Sequence, residues 1–402
     1  LARCVRDTAP ALQNRILGNV GSRFSAQTPD RRDTALPVTR ILKSQDDQMA
    51  APALSDRPGH IYGLDSLRFL AALWVLLSHG GMPYSSFLYT NYHYASKTLR
   101  YLMGFYHSLP NGGAAVILFF VISGLCIHLP YAAGKPFLVG EFLARRYARV
   151  GIPLVAAILI AKAIGGLANE MEDSVLWTLY CELIYYTAYP LIRILTRTVR
   201  LQTLVALIFA FGSILAVWKY SLLRYQDFTI LGSMVLGLPY WLLGTLLAER
   251  FSVQGAGHDA GPVWKIEIPC VLAYTILSNM LVTHASLKIG YPASLIPFGL
   301  FAFVRFPSWL AALRRVAAGS RFLRYIEHCG RWSYSLYLMH PIALGVLFTI
   351  YPRADFFPTW PFFFAIVLGS AVLSYYLVER PSHIFAREIA GRLRARAVGI
   401  RN

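Results

Sequence analysis

Apolar runs of bilayer-crossing length recur along most of the chain, from about residue 64 to about residue 379, with short polar connections between them. A span needs roughly 20 apolar residues, and shorter or interrupted runs cross when packed inside a bundle. The pattern predicts helices at 64–81, 113–131, 152–168, 174–193, 201–219, 230–248, 266–283, 287–303, 333–351 and 361–379. The expected fold class is an all-α polytopic membrane protein, with about ten transmembrane helices in one bundle. Segment 1–60 reads differently: it is polar, with scattered Pro, Asp and Arg and no sustained apolar face, which predicts disorder. Leu1 to Ser44 contains no continuous apolar stretch of the signal-peptide kind. Met49 opens "MAAPALSDRPGHIYGLDSLRFLAAL", so the expectation is that Met49 is the biological start or that the preceding segment is dispensable. The expected division is thus a polar segment 1–60, a membrane domain 61–382 and a basic tail 383–402.

Charge refines this picture. A net charge of +18 would point to nucleic acid in a soluble protein, but no basic low-complexity tract or nucleic-acid motif accompanies it. With the N-terminus placed inside, only Lys97, Arg100, Lys219, Arg224, Lys288 and Arg353 fall in outward connections, while Arg68 and Lys162 lie within spans. All other Lys and Arg are on the inner side, which predicts two cytoplasmic termini by the positive-inside rule and accounts for the charge without nucleic acid. The five cysteines, Cys4, Cys126, Cys181, Cys270 and Cys329, show no metal-ligand spacing and read as packing residues.

Polar residues inside the apolar runs are the natural places to look for chemistry, because they are costly in a bilayer. In "SLRFLAALWVLLSHGG" Arg68 and His79 are eleven residues apart, which is three helical turns, so they share one face about 16 Å apart along the axis. Asp65 is placed to cap this helix and to neutralise Arg68. In "EFLARRYARVGIP" Arg145, Arg146 and Arg149 would form a compact guanidinium patch on a helical turn, suited to phosphate oxygens or serving only as topology-setting charge. Glu182, in "DSVLWTLYCELIYYTAYP", needs a partner, either His79 at similar depth or Lys162. His340 and Glu379 read as structural, Glu379 having Arg380 beside it. The outward segment 82–112, with Tyr84, Tyr89, Tyr92, His93, Tyr94, Tyr101, Tyr106 and His107, reads as a sugar-binding surface or as an interfacial aromatic belt.

Taken together, "GLDSLRFLAALWVLLSH", "LFFVISGL", "FLARRYARVGIP", "LWTLYCELIYY", "WSYSLYLMH" and "LVERP" resemble, in order, the motifs of the acyltransferase 3 family of integral membrane O-acyltransferases. The family's usual Asp-Gly is Asp65-Ser66 here, the acidic residue before "LFF" is Ile117, and the frequent Glu-Glu is Glu182-Leu183. The resemblance implies transfer of an acyl group, most often acetyl, from cytoplasmic acyl-CoA to a hydroxyl of a cell-surface or lipid-linked glycan or a glycosylated small molecule. It implies a multi-pass protein of a bacterial inner membrane with acyl-CoA as co-substrate and no permanently bound cofactor or metal. Under it Arg145, Arg146 and Arg149 would hold the CoA phosphates, Arg68 would line the path, and His79 would act as general base or carry the acyl group, with Glu182 orienting or charge-balancing it. The competing reading of ten helices with buried ionisable groups is a secondary transporter of a small polar or anionic solute.

Overall fold

The computed structural model describes residues 61–80, 96–165, 171, 175–254, 264–283, 288–350 and 356–399; segment 1–60, and with it Met49, lies outside the described residues. Among the described residues the secondary structure is helical throughout, without a strand. The helices are α1 (Leu64–Gly80), α2 (Lys97–His107), α3 (Gly112–Ala132), α4 (Val139–Ala163), α5 (Trp177–Leu195), α6 (Leu201–Trp218) and α7 (Thr229–Gln254). They continue as α8 (Trp264–Thr283), α9 (Ile296–Gly319), α10 (Arg321–Cys329), α11 (Ser333–Ile350), α12 (Phe356–Ser374) and α13 (Arg380–Gly399). Short turns complete the set, of which the π-helical turn Tyr375–Glu379 between α12 and α13 matters most below.

Each of the ten apolar segments read from the sequence falls on helix. Seven helical stretches among the described residues are long and apolar enough to cross a membrane by themselves: Lys97–Ala132, Leu201–Trp218, Tyr225–Val253, Lys265–Thr283, Tyr291–Ala317, Arg321–Ile350 and Trp360–Ala397. The other three segments are α1, α4 and α5, the helices that carry Arg68 and His79, the arginine patch, and Glu182. α1 is 17 residues long, while α4 and α5 carry charged side chains within their apolar stretches. One boundary needs correction: the third segment, read as 152–168, is the second half of a helix that already begins at Val139. Pro153 suggests a break, yet α4 runs through it, so the arginines and the apolar stretch share one rigid rod.

Packing centres on α3, which is apolar and buried on most of its circumference. It crosses α7 at backbone contact. A Cβ on Gly124 would sit 1.8 Å from the Trp241 carbonyl oxygen, and one on Gly244 would sit 2.1 Å from that of Val121. Small residues at such a crossing allow dispersion contacts that larger side chains would prevent. The outer surface of α6 instead exposes Leu207, Phe211 and Ile214, as expected where lipid rather than water is the solvent.

The start of α1 is fixed from another helix. Glu327 on α10 accepts hydrogen bonds from the Gly63 amide at 3.0 Å, from the Ser66 amide at 2.8 Å and from the Ser66 hydroxyl. These satisfy amides that the first turn of a helix leaves without partners. Glu327 thus caps this turn from another helix, while Asp65 pairs with Arg68, as the sequence also suggested. Gly330 lets the two segments meet, since a Cβ there would lie 2.2 Å from the Asp65 carbonyl oxygen.

Two stability outcomes are expected. Gly124→Val or Gly244→Val forces side-chain atoms against backbone and should cost at least about 1–3 kcal/mol; Gly151→Ala, with nothing within 4 Å of its Cβ, is the silent control. Detergent-solubilised yield and melting temperature report both. Glu327→Ala strands buried donors and should cost about 1–3 kcal/mol, with Glu327→Gln intermediate, by the same melting measurement.

Candidate active site

α1 supplies one wall of the site. Arg68 lies at its Glu327-capped end, where one guanidinium nitrogen is 2.7 Å from Asp65 and the other is 2.8 Å from the Cys126 sulfur on α3. Cys181 and Cys329 are buried packing residues as expected, Cys270 is exposed, and Cys126 instead faces this arginine. At the far end of α1 His79 is exposed, and its Nδ1 is 2.9 Å from Nε2 of His340 on α11. The two imidazoles are nearly parallel, with planes 7° apart. His340 is fully buried and its Nδ1 is 3.2 Å from the Leu336 carbonyl oxygen. The sequence marks His340 as structural; the fold makes it the partner of His79.

Glu182 is not that partner. Its carboxylate accepts from the Ser123 hydroxyl on α3 at 2.7 Å and from the Tyr186 hydroxyl one turn along α5, while Ser123 also accepts from the Trp241 indole at 3.2 Å. Lys162 is exposed, and among the described residues it makes no ion pair with Glu182. The depth misreading has a simple cause. α5 runs parallel to α3, with Trp177 beside Phe120, Glu182 beside Ser123 and Tyr189 beside His128, so the regular part of α5 begins eight residues below the start of α3. Glu182 therefore lies about one turn from Cys126 and about 12 Å in axial depth from His79.

The arginine patch on α4 faces the same end of the bundle as Arg68. Arg149 Nε donates to His383 on α13 at 3.1 Å, and Arg149 lies within electrostatic reach of Arg68, Arg146, Glu379 and Tyr186. Glu379 accepts from the Ser335 amide at 3.0 Å and its hydroxyl at 2.6 Å, with its other oxygen 3.6 Å from His383. Its expected pairing with Arg380 does not form. The π-helical turn inserts an extra residue per turn, which rotates Glu379 inward while Arg380 remains outside, over the Tyr376 ring. Among the described residues no carboxylate lies within ion-pair distance of Arg145, Arg146 or Arg149. Three half-buried guanidinium groups without a carboxylate leave positive charge for an anion to neutralise.

Between the two ends stand Tyr334, which donates to the Val150 carbonyl at 2.9 Å, and Tyr337, 2.6 Å from the Thr178 hydroxyl and edge-on to Phe119. No spacing in the sequence signals His340, Ser335 or Tyr337, because each acts across helices distant in the chain; His383 stands i, i+4 from Glu379, but its contact with Arg149 also comes from a distant helix. Of the aromatic segment 82–112, Tyr84, Tyr89, Tyr92, His93 and Tyr94 lie outside the described residues; Tyr101, Tyr106 and His107 lie on the amphipathic helix α2, with Tyr101 exposed.

The arrangement combines an end rich in guanidinium groups with an exposed imidazole about 16 Å away along one helix. An imidazole so placed can accept and return a proton, while guanidinium groups hold phosphates. A family model described as an acyltransferase domain matches residues 61–379, which include all of these residues except His383. No curated protein and no solved structure shows a significant match to the chain. The family match spans most of the sequence and both ends of the site, and the chain belongs to the acyltransferase 3 family of membrane acyltransferases.

Proposed function

We propose that the protein transfers an acyl group, acetyl by preference, from acyl-CoA to a hydroxyl of a cell-surface or lipid-linked glycan or of a glycosylated small molecule. The observation that carries this reading is the clustering of Arg145, Arg146 and Arg149 without carboxylate partners at the Arg68 end of α1, with His79 exposed at its other end. The CoA phosphates bind the three α4 guanidinium groups from the cytoplasm of a bacterial cell. Ten crossings, those of α1, α4 and α5 included, put both termini on that side of the inner membrane, in agreement with the distribution of Lys and Arg.

The pantetheine arm passes Arg68 and brings the thioester toward His79. His79 removes the proton from the acceptor hydroxyl as its oxygen attacks the thioester carbonyl. The tetrahedral intermediate then expels the CoA sulfur, which recovers the proton from the imidazolium, leaving an ester and free CoA. Glu182 keeps a role of charge balance: through Tyr186 it sits beside Arg68, Arg146 and Arg149 and offsets part of their repulsion in the empty site.

Protein in nanodiscs, given acetyl-CoA and a surface-glycan extract, should release free CoA. His79→Ala should lower kcat about 10²- to 10⁴-fold in a protein that still folds, with a fall in melting temperature no larger than the loss of one buried hydrogen bond brings. Solute uptake with no thioester consumed would favour a transporter and overturn the proposal.

Arg145→Ala combined with Arg146→Ala should raise KM for acetyl-CoA about tenfold or more, since charge-assisted hydrogen bonds are lost. KM for the acceptor should change little. Equal effects on both substrates would remove the phosphate-binding role.

A further inference from the structure

His340 is buried to the last atom, stands one residue before Pro341, and touches the one exposed imidazole of the site. Its hydrogen bonds have a direction that the chemistry dictates. A carbonyl oxygen only accepts, so the 3.2 Å contact between His340 Nδ1 and the Leu336 carbonyl requires the proton on Nδ1. Pro341 strengthens this acceptor wall, because it lacks the N–H that would occupy the Tyr337 carbonyl one turn back. No carboxylate lies within ion-pair distance of His340 among the described residues, and an unpaired imidazolium in so dry a place is costly. His340 is therefore neutral, and its Nε2 carries a lone pair.

That lone pair faces His79 Nδ1 at 2.9 Å. Two lone pairs at this distance would repel, so His79 Nδ1 must hold the proton. A neutral imidazole carries one N–H, and His79 Nε2 is left bare. We infer that His340 is a positioning residue that fixes the proton tautomer and ring plane of His79, through a directed chain from His79 Nδ1–H to His340 Nε2 and from His340 Nδ1–H to the Leu336 carbonyl. The inference rests on His79 being the base of the proposed transfer. It assigns that role to one nitrogen, Nε2.

The chain also explains why a base here needs no acidic partner. When His79 Nε2 takes the hydroxyl proton, the new imidazolium donates a stronger hydrogen bond to His340 Nε2, and no proton leaves the pair. In catalytic triads a carboxylate orients the histidine in this way. A neutral buried imidazole does the same orientation without adding negative charge to the apolar part of the bundle. The near-parallel rings hold the bare nitrogen in a fixed direction.

The test uses the full-length protein in nanodiscs with acetyl-CoA and the glycan extract, alongside ¹⁵N spectra of histidine-labelled protein in which His79 is assigned by its loss in His79→Asn. Wild-type spectra should show His79 protonated at Nδ1 and bare at Nε2. His340→Leu should move the proton to Nε2 in a substantial fraction, and should lower kcat about 10- to 100-fold, the equivalent of a lost buried hydrogen bond, with KM for acetyl-CoA unchanged. His340→Gln, whose amide oxygen can accept from His79 Nδ1–H, should recover much of kcat. A wild-type proton on Nε2 overturns the inference, as does a His340→Leu enzyme with wild-type kcat or a His340→Gln enzyme no faster than His340→Leu. If His340→Leu does not fold, the wild-type spectrum and His340→Gln against wild type still decide. An active His79→Ala enzyme would instead remove the base reading, and the spectra would still report the tautomer.

Discussion

The grip of Glu327 on the first turn of α1 is the contact on which the site's geometry depends. α1 carries both ends of the path, so its depth and rotation set where each functional group points. A slip of one residue along the helix axis would move every side chain about 1.5 Å and turn it about 100°. The helix is pinned at three levels against such a slip: Glu327 at its first turn, Cys126 against Arg68 a turn further on, and His340 against His79 at its far end. Each pin comes from a different helix. The relative positions of α3, α10 and α11 are consequently written into the position of one face of α1, and Gly330 is the residue that lets the lowest pin approach.

Much of this was visible in the chain before folding, and the parts that were not have a common character. The apolar runs mark the helices well, because burial in a bilayer or a bundle interior leaves no choice of residue type over many positions. The face shared by Arg68 and His79 is equally legible, since it depends only on helical periodicity. The partner of Asp65 follows from an i, i+3 spacing and is found where expected. Failures begin where a partner comes from another helix. Counting from the start of its own segment puts Glu182 at the depth of His79, but helices of a bundle need not start at one level. Adjacency in sequence points Glu379 to Arg380, yet in the π-helical turn Glu379 is buried against Ser335 while Arg380 lies over Tyr376. His340 offered no periodic signal at all. Its importance lies in a contact across 261 positions of sequence.

The two ends of the site solve the problem of buried polarity in opposite ways. At the His79 end two imidazoles face each other, and in the inferred tautomer the pair carries no net charge at rest while His79 Nε2 stays bare. At the Arg68 end positive charge is concentrated beyond what Glu379 and the Glu182–Tyr186 pair supply nearby. Bringing guanidinium groups together costs Coulomb energy that grows as the surroundings become drier. Asp65 answers Arg68 directly, while Arg145, Arg146 and Arg149 have no such answer among the described residues. In the proposed reaction a polyanion entering there would relieve repulsion as well as form new hydrogen bonds.

This division of labour fits a transfer reaction better than a binding function alone. A donor anchored by its charged end spends its binding energy far from the reacting atom, which orders the arm and leaves the thioester free to move into position. The reacting end needs a base whose protonation state does not depend on the charge that anchors the donor. Separation along one helix by about 16 Å weakens that electrostatic coupling, and Phe119, Tyr337 and Thr178 are in contact between the two ends. A neutral pair of imidazoles at the end of such a path accepts one proton per turnover and returns it to the departing sulfur, so the cycle closes without a proton crossing the bundle. In the proposed reaction the donor's charged and reactive ends thus occupy electrostatically distinct places, and α1 is the rigid element that sets the distance between them.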